Sequence, residues 1–119
     1  MESVKISQSI VKRIDLLESA RKKNSEFAIN MAKSNAEYSK ILAKTIIQLK
    51  NGVEMRVEGE TISSPPVTII EKIAKGVCWE EQLTMDKNVA FYKNSIRAID
   101  SMKAELNALQ SLFKYQTEL

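Results

Sequence analysis

The 119-residue chain has no histidine, one cysteine, two prolines and three glycines, and each shortage closes off a class of chemistry or of fold. Without histidine, the usual general base near neutral pH is missing. A single cysteine, Cys78, cannot close an internal disulfide, and one cysteine without histidine leaves no zinc-binding set within the chain. The glycines stand alone at 52, 59 and 76, so no Gly-rich phosphate loop is present. No motif pairs a nucleophilic serine with a base. No apolar run approaches the roughly 18 residues of a membrane span. Met1 to Ala20 interleaves Lys5, Lys12, Arg13, Asp15 and Glu18 with apolar residues, unlike a signal peptide. These absences predict a non-enzymatic chain with no catalytic, metal or cofactor site and no membrane partner, held in a reducing, cytoplasmic compartment.

What is present is a soluble balance of 44% hydrophobic and 28% charged residues, enough for one domain and too little for two ordinary ones. Both prolines and two of the glycines fall between residues 52 and 66, which predicts long uninterrupted elements on either side. Charge is uneven. Residues 1–50 carry ten Lys/Arg against five Asp/Glu, and residues 51–119 carry eight against ten. A basic first half suits an acidic partner, and it also lets the two halves attract each other across a hairpin.

From Val4 to Leu49 the apolar positions Ile10, Ile14, Leu17, Ala28, Met31, Tyr38, Leu42 and Leu49 follow 3–4 spacing, widened by Ile46 and Ile47. Asn51-Gly52 supplies a stop. A helix continuous from Val4 to Leu49, within the expected helix over residues 1–50, would run roughly 70 Å at 1.5 Å per residue, far beyond what propensity alone supports. Arg21, Lys22, Lys23, Asn24 and Asn35 sit where the stripe should continue. They read either as register-setting polar residues or as a break between two helices near 21–24.

Residues 53–62 alternate differently. Val53, Met55 and Val57 interleave with Glu54, Arg56 and Glu58, a strand period, and Glu58-Gly59 could turn the chain back. A small β-hairpin or a structured loop fits the stretch 51–64. Ser63-Ser64-Pro65-Pro66 is expected to open a short helix over 65–76, with serine as cap and proline in the first turn. Ile69, Ile70, Ile73 and Ala74 would face inward and Gly76 would end it. A long helix over 79–117 follows. Its seam of Met85, Val89, Tyr92, Ile96, Ile99, Met102, Leu106, Leu109 and Phe113 keeps 3–4 spacing with one irregularity at Met102.

Few side chains suggest chemistry. Glu80-Glu81 with Asp86 is a carboxylate cluster, but adjacent helical residues point about 100° apart and a first-turn acidic group suits the helix dipole. Cys78 beside that helix start could be activated, but lacking a base it reads as a semi-buried structural residue. Trp79, the only tryptophan, suits either a plug at a bundle end or a binding hot spot. Lys12, Arg13, Arg21, Lys22, Lys23, Lys33, Lys40 and Lys44 are the candidate contacts to an acidic partner or nucleic acid, although no aromatic residues interleave for base stacking. Trp79, Tyr92, Ile96, Ile99, Leu106, Leu109 and Phe113 are the candidate protein interface.

Several stretches resemble a known group. Glu37-Tyr38-Ser39-Lys40-Ile41-Leu42-Ala43-Lys44 precedes Ile47-Gln48-Leu49-Lys50, then Pro66-Val67-Thr68-Ile69-Ile70 and Ala74-Lys75-Gly76. Tyr92-Lys93-Asn94-Ser95-Ile96-Arg97-Ala98-Ile99 then leads to Lys103-Ala104-Glu105-Leu106-Asn107-Ala108-Leu109-Gln110-Ser111. Across residues 26–116 this order resembles short helical proteins of temperate phages and prophages of Gram-positive bacteria. Residues 53–64 depart from that pattern as an insertion, and Val77-Cys78-Trp79 replaces a more acidic connector. The resemblance implies a small early-region phage protein acting in a bacterial host, and it brings no catalytic residues.

The expectation is therefore an all-α domain over 1–119: a long helical hairpin or coiled-coil-like bundle with a short middle helix. Two helices cannot bury their own apolar faces. A homo-oligomer, a dimer by default, is expected to serve as adaptor or inhibitor of a phage or host protein, host defence enzymes included. The alternative is a nucleic-acid-binding accessory of phage replication or recombination that uses the basic first helix.

Overall fold

Forty-eight residues without glycine or proline form one α-helix, α1 (Ser3–Lys50), in a computed structural model that describes residues 3–118. Helix α1 crosses Arg21 to Asn24 without a break, because arginine and lysine are good helix formers and nothing there opposes the helical backbone. Strands β1 (Met55–Val57) and β2 (Glu60–Ile62), a 3-10 turn (Val67–Ile69), α2 (Ile70–Val77) and α3 (Trp79–Glu118) complete the order. The all-helical class with a short middle helix and a small hairpin insertion holds. The chain divides into two compact units, one from residues 1–29 with 90–119 and one from residues 30–89.

In the first unit α1 and α3 run antiparallel. Arg13 pairs with Glu105, and fourteen residues further along α1 Phe27 meets Phe91, fourteen residues earlier on α3, with ring centroids 6.0 Å apart. The inward residues of α1 are Ile6, Ile10, Arg13, Leu17, Ala20, Asn24 and Phe27, and those of α3 are Tyr92, Ser95, Ile99, Met102, Leu106, Leu109 and Phe113. Both rows alternate spacings of three and four, the heptad pattern that keeps one seam facing a partner helix. Ile14 and Ile96, expected on the seam, are 38% and 37% exposed, and Arg13 and Ser95 hold those places instead. With Ser95 counted, the irregularity at Met102 disappears. Arg21 is exposed too, since the seam passes through Ala20 and Asn24.

In the second unit α1 turns Met31, Ser34, Tyr38, Leu42, Thr45 and Leu49 inward, and Asn35, expected to interrupt the row, is exposed. Helix α1 ends as Asn51-Gly52 predicts. Gly52 is left-handed (φ 79°), its N–H donates to the Leu49 carbonyl, and the Val53 N–H donates to the Gln48 carbonyl. That pair of bonds satisfies carbonyls the helix end would otherwise leave open. The hairpin pairs Met55 with Ile62, Arg56 with Thr61 and Val57 with Glu60. Both turn residues, Glu58 (φ 48°) and Gly59 (φ 84°), have positive φ, the backbone a two-residue hairpin turn needs to follow the strand twist.

Two short-range expectations fail here. Pro66 keeps an extended backbone (φ −57°, ψ 141°) and no side chain caps the 3-10 turn. The first α-helical residue is Ile70, too far along the chain for Ser63 or Ser64 to reach its free N–H groups. Gly76 does not end α2 either. The helix runs through Val77, and the Cys78 N–H donates to the Ala74 carbonyl, so the chain bends at Cys78 (φ −91°, ψ 25°) directly into α3. No left-handed residue is needed because the backbone stays right-handed.

Leu49, Ile70 and Ala74 form the buried core of this unit, with Leu42, Ile46, Met55, Ile62 and Ile73 packed against them. Each fully buried leucine or isoleucine contributes roughly 1.5–3 kcal/mol. The hairpin, marginal alone, is held by placing Met55 and Ile62 on that core. Ile69, expected inward, is 41% exposed on the 3-10 turn.

Candidate functional site

The eight basic candidates do not converge on one patch. In the first unit Arg13 is engaged with Glu105. The Lys23 Nζ lies 3.4 Å from a Glu26 carboxylate oxygen and 5.5 Å from the Phe27 ring centre. Lys12 edges a shallow depression with Ser9, Leu16 and Leu109, and Arg21 and Lys22 are exposed. In the second unit Lys33 and Lys40 border an open hollow with Asn30, Ser34, Glu37 and Asn88. The Lys40 Nζ is 4.0 Å from Glu37, and Lys44 is exposed. Exposed pairs such as these contribute about 0–1 kcal/mol each. The first unit carries ten Lys/Arg against seven Asp/Glu, and the second carries eight of each. In both units acidic side chains therefore interleave with the basic ones.

Of the apolar candidates, Tyr92, Ile99, Leu106, Leu109 and Phe113 face the seam of the first unit, and Ile99 is only 8% exposed. They hold α3 to α1. Ile96 faces outward, and it is joined in the same unit by exposed Val4, Val11, Ile14, Leu16 and Phe91. Trp79 begins α3 in the second unit and is 47% exposed. At that exposure the indole is not a buried plug, and it borders the hollow described below.

Cys78 is buried at the bend between α2 and α3, and its Sγ lies 3.4 Å from the Thr45 hydroxyl. Burial keeps this thiol from solvent, and the Thr45 hydroxyl is its hydrogen-bond partner. Among the described residues no group of three or more His, Cys, Asp or Glu could hold a metal ion, and none of the helices is long and apolar enough to cross a membrane.

The feature that sequence reasoning missed lies between the hairpin and α2. A groove of about 360 Å³ is lined by Val57, Glu58, Glu60, Ile62, Ile73, Gly76 and Val77. An adjoining hollow of about 340 Å³ shares Val57, Glu58 and Val77 and adds Arg56, Trp79, Glu80 and Glu81. Between them they gather the apolar Val57, Ile62, Ile73 and Val77, the guanidinium of Arg56, four carboxylates and the Trp79 indole. The pairing of Met55 with Ile62 puts Val57 and Ile62 on one face of the hairpin. Only the seating of the hairpin on α2 brings that face beside Val77 and Trp79.

Comparison of the chain with protein-family models, curated proteins and solved structures finds no match.

Proposed function

We propose that the chain is a small helical interaction protein that self-associates, a dimer first, and acts as adaptor or inhibitor of another protein in a bacterial cell carrying a temperate phage. The observation that carries this reading is unspent surface. The chain exposes 8505 Å² at 13.5 kDa, whereas a self-sufficient globular monomer of that mass exposes about 6,500 Å². The surplus of about 2,000 Å² exceeds the roughly 800 Å² per partner that a stable complex buries. Large apolar side chains form part of it: Val4 is 65% exposed, Val11 57%, Ile29 55% and Tyr115 63%. The resemblance across residues 26–116 supports the phage setting, and the lack of convergent catalytic groups supports binding over catalysis.

Light scattering on the purified chain should give about 27 kDa, twice the 13.5 kDa of one copy, and a tagged chain should draw one stoichiometric protein from a Gram-positive lysate. A monomer at all concentrations with no partner would overturn the proposal. A preparation that carries nucleic acid, released by salt, would instead favour the accessory role in replication or recombination.

A further inference from the structure

Asn51-Gly52 is the only place in the chain where an asparagine precedes a glycine. The pair follows α1 directly, and both residues are exposed. The other asparagines, at 24, 30, 35, 88, 94 and 107, lie inside α1 or α3 and precede residues that carry a Cβ. A side-chain amide carbon is an electrophile, and the nitrogen of the next peptide is the nucleophile closest to it. Glycine leaves that nitrogen unshielded because it has no Cβ. The space at Gly52 is open as well: a Cβ there would meet the Ser64 hydroxyl oxygen at 3.8 Å and nothing nearer.

We propose that Asn51 is a site of spontaneous deamidation and that the cap on α1 controls its rate. Water and hydroxide are the only co-reactants. The Gly52 nitrogen gives its proton to hydroxide and bonds to Asn51 Cγ. The Cγ–Nδ2 bond breaks, and the departing nitrogen takes a proton from water and leaves as ammonia. Water then opens the cyclic imide at either carbonyl. Attack at Cγ leaves aspartate, and attack at the backbone carbonyl carbon leaves isoaspartate, whose main chain runs through Cβ and Cγ. In the folded chain the Gly52 nitrogen is engaged. Its N–H donates to the Leu49 carbonyl at 3.2 Å, while the Asn51 N–H is held by the carbonyls of Ile47 and Gln48. Closing the imide ring turns the Asn51-Gly52 peptide and breaks these bonds. The reaction therefore starts from molecules whose cap has opened, and since opening and closing are fast beside it, the rate follows the open fraction.

Deamidation then keeps the cap from closing. Either product puts a carboxylate at the negative end of the α1 dipole. Isoaspartate also adds a main-chain atom inside both hydrogen-bonded rings of the cap, the one from Gly52 to Leu49 and the one from Val53 to Gln48. The cap joins Leu49, in the core of the second unit, to the strand that begins at Met55 and packs on that core. Its loss loosens the second unit, so a chain grows less stable as it ages.

Mass spectrometry of peptides from the full-length chain, held in warm and mildly alkaline buffer with or without denaturing guanidinium, reads the outcome over time. In the folded chain Asn51 should convert ahead of every other asparagine, giving both aspartate and isoaspartate. Guanidinium should speed the conversion at least about ten-fold, because it opens the cap in every molecule. Leu49→Ala without denaturant should speed it in the same direction, and if that variant does not fold, the parent chain in guanidinium gives the same reading. Converted chains should unfold at a lower urea midpoint by Trp79 fluorescence. Conversion of Asn51 no faster than that of the helical asparagines would overturn the site. Equal rates with and without guanidinium would overturn control by the cap, and an unchanged midpoint would overturn the loss of stability.

Discussion

Leu49→Ala is expected to destabilise the second unit by about 3 kcal/mol, within the roughly 2–5 kcal/mol range for leucine truncated in a core. Leu49 is 2% exposed and sits with Ile70 and Ala74 at the centre of a very small core. The same side chain holds α1 to α2 and stands three residues before the left-handed Gly52 that ends α1, so its loss opens a cavity that few neighbours can collapse to fill. A natural domain has about 5–15 kcal/mol in total, and this change removes a large share of it. Trp79 is the only tryptophan and belongs to this unit. Urea titration followed by its fluorescence therefore reports the loss, as a lower midpoint at unchanged slope. A shift worth under about 1 kcal/mol would mean that the cluster around Leu49 is not what holds the unit together.

Asn24→Leu is expected to act in the opposite direction. Among the described residues, Asn24 Oδ1 is the one buried side-chain oxygen or nitrogen without a hydrogen-bond partner. A buried polar group left unpaired costs about 1–3 kcal/mol, and a leucine of similar size removes that cost and adds apolar contact in the seam. A gain of about 1–3 kcal/mol in the first unit should follow, read as a higher melting temperature by circular dichroism. Specificity should suffer, because a polar residue in a helical seam penalises shifted registers and other oligomers that leave it worse placed. Light scattering of the variant should accordingly show a broader distribution of assemblies. A lower melting temperature would mean that the Asn24 carbonyl finds a donor in solution.

Much of the architecture was legible. The absence of glycine and proline between Ser3 and Lys50 pointed to one helix or two broken near 21–24, Asn51-Gly52 marked the end, and the alternation from Val53 to Glu58 with Glu58-Gly59 fitted a hairpin or a structured loop. The phase of the helical seam was harder. Ile14 and Ile96 outweigh Arg13 and Ser95 on any scale of hydrophobicity, so a reading of α1 or α3 alone turns the isoleucines inward. Two helices packed together impose one heptad register on both, and it admits Arg13 because Glu105 stands opposite to pair with it. Local signals failed where two of them competed: the fixed backbone of Pro65-Pro66 displaced the serine cap, and right-handed continuation through Cys78 made Gly76 unnecessary as a stop. The groove was not legible because it is made by tertiary placement. Its acidic residues read in sequence as a helix dipole and a turn.

The discontinuous make-up of the first unit has a consequence for the order of assembly. That unit is built from residues 1–29 and 90–119, whereas the second is a continuous stretch, residues 30–89. Arg13 and Glu105 stand 92 positions apart in the chain, and contacts of such separation form slowly because loop entropy is lost before anything is gained. The continuous unit needs no such search, and on folding it draws its own ends together, with the Asn88 side chain donating to the Asn30 carbonyl at 3.4 Å. Closing the 60-residue span then becomes a local event, and the remaining helix segments zip outward from it. Pulsed hydrogen exchange should show amides of residues 30–89 protected before those of residues 3–29. On the ribosome residues 3–29 must wait, without their mate, until residues 90–118 have been made.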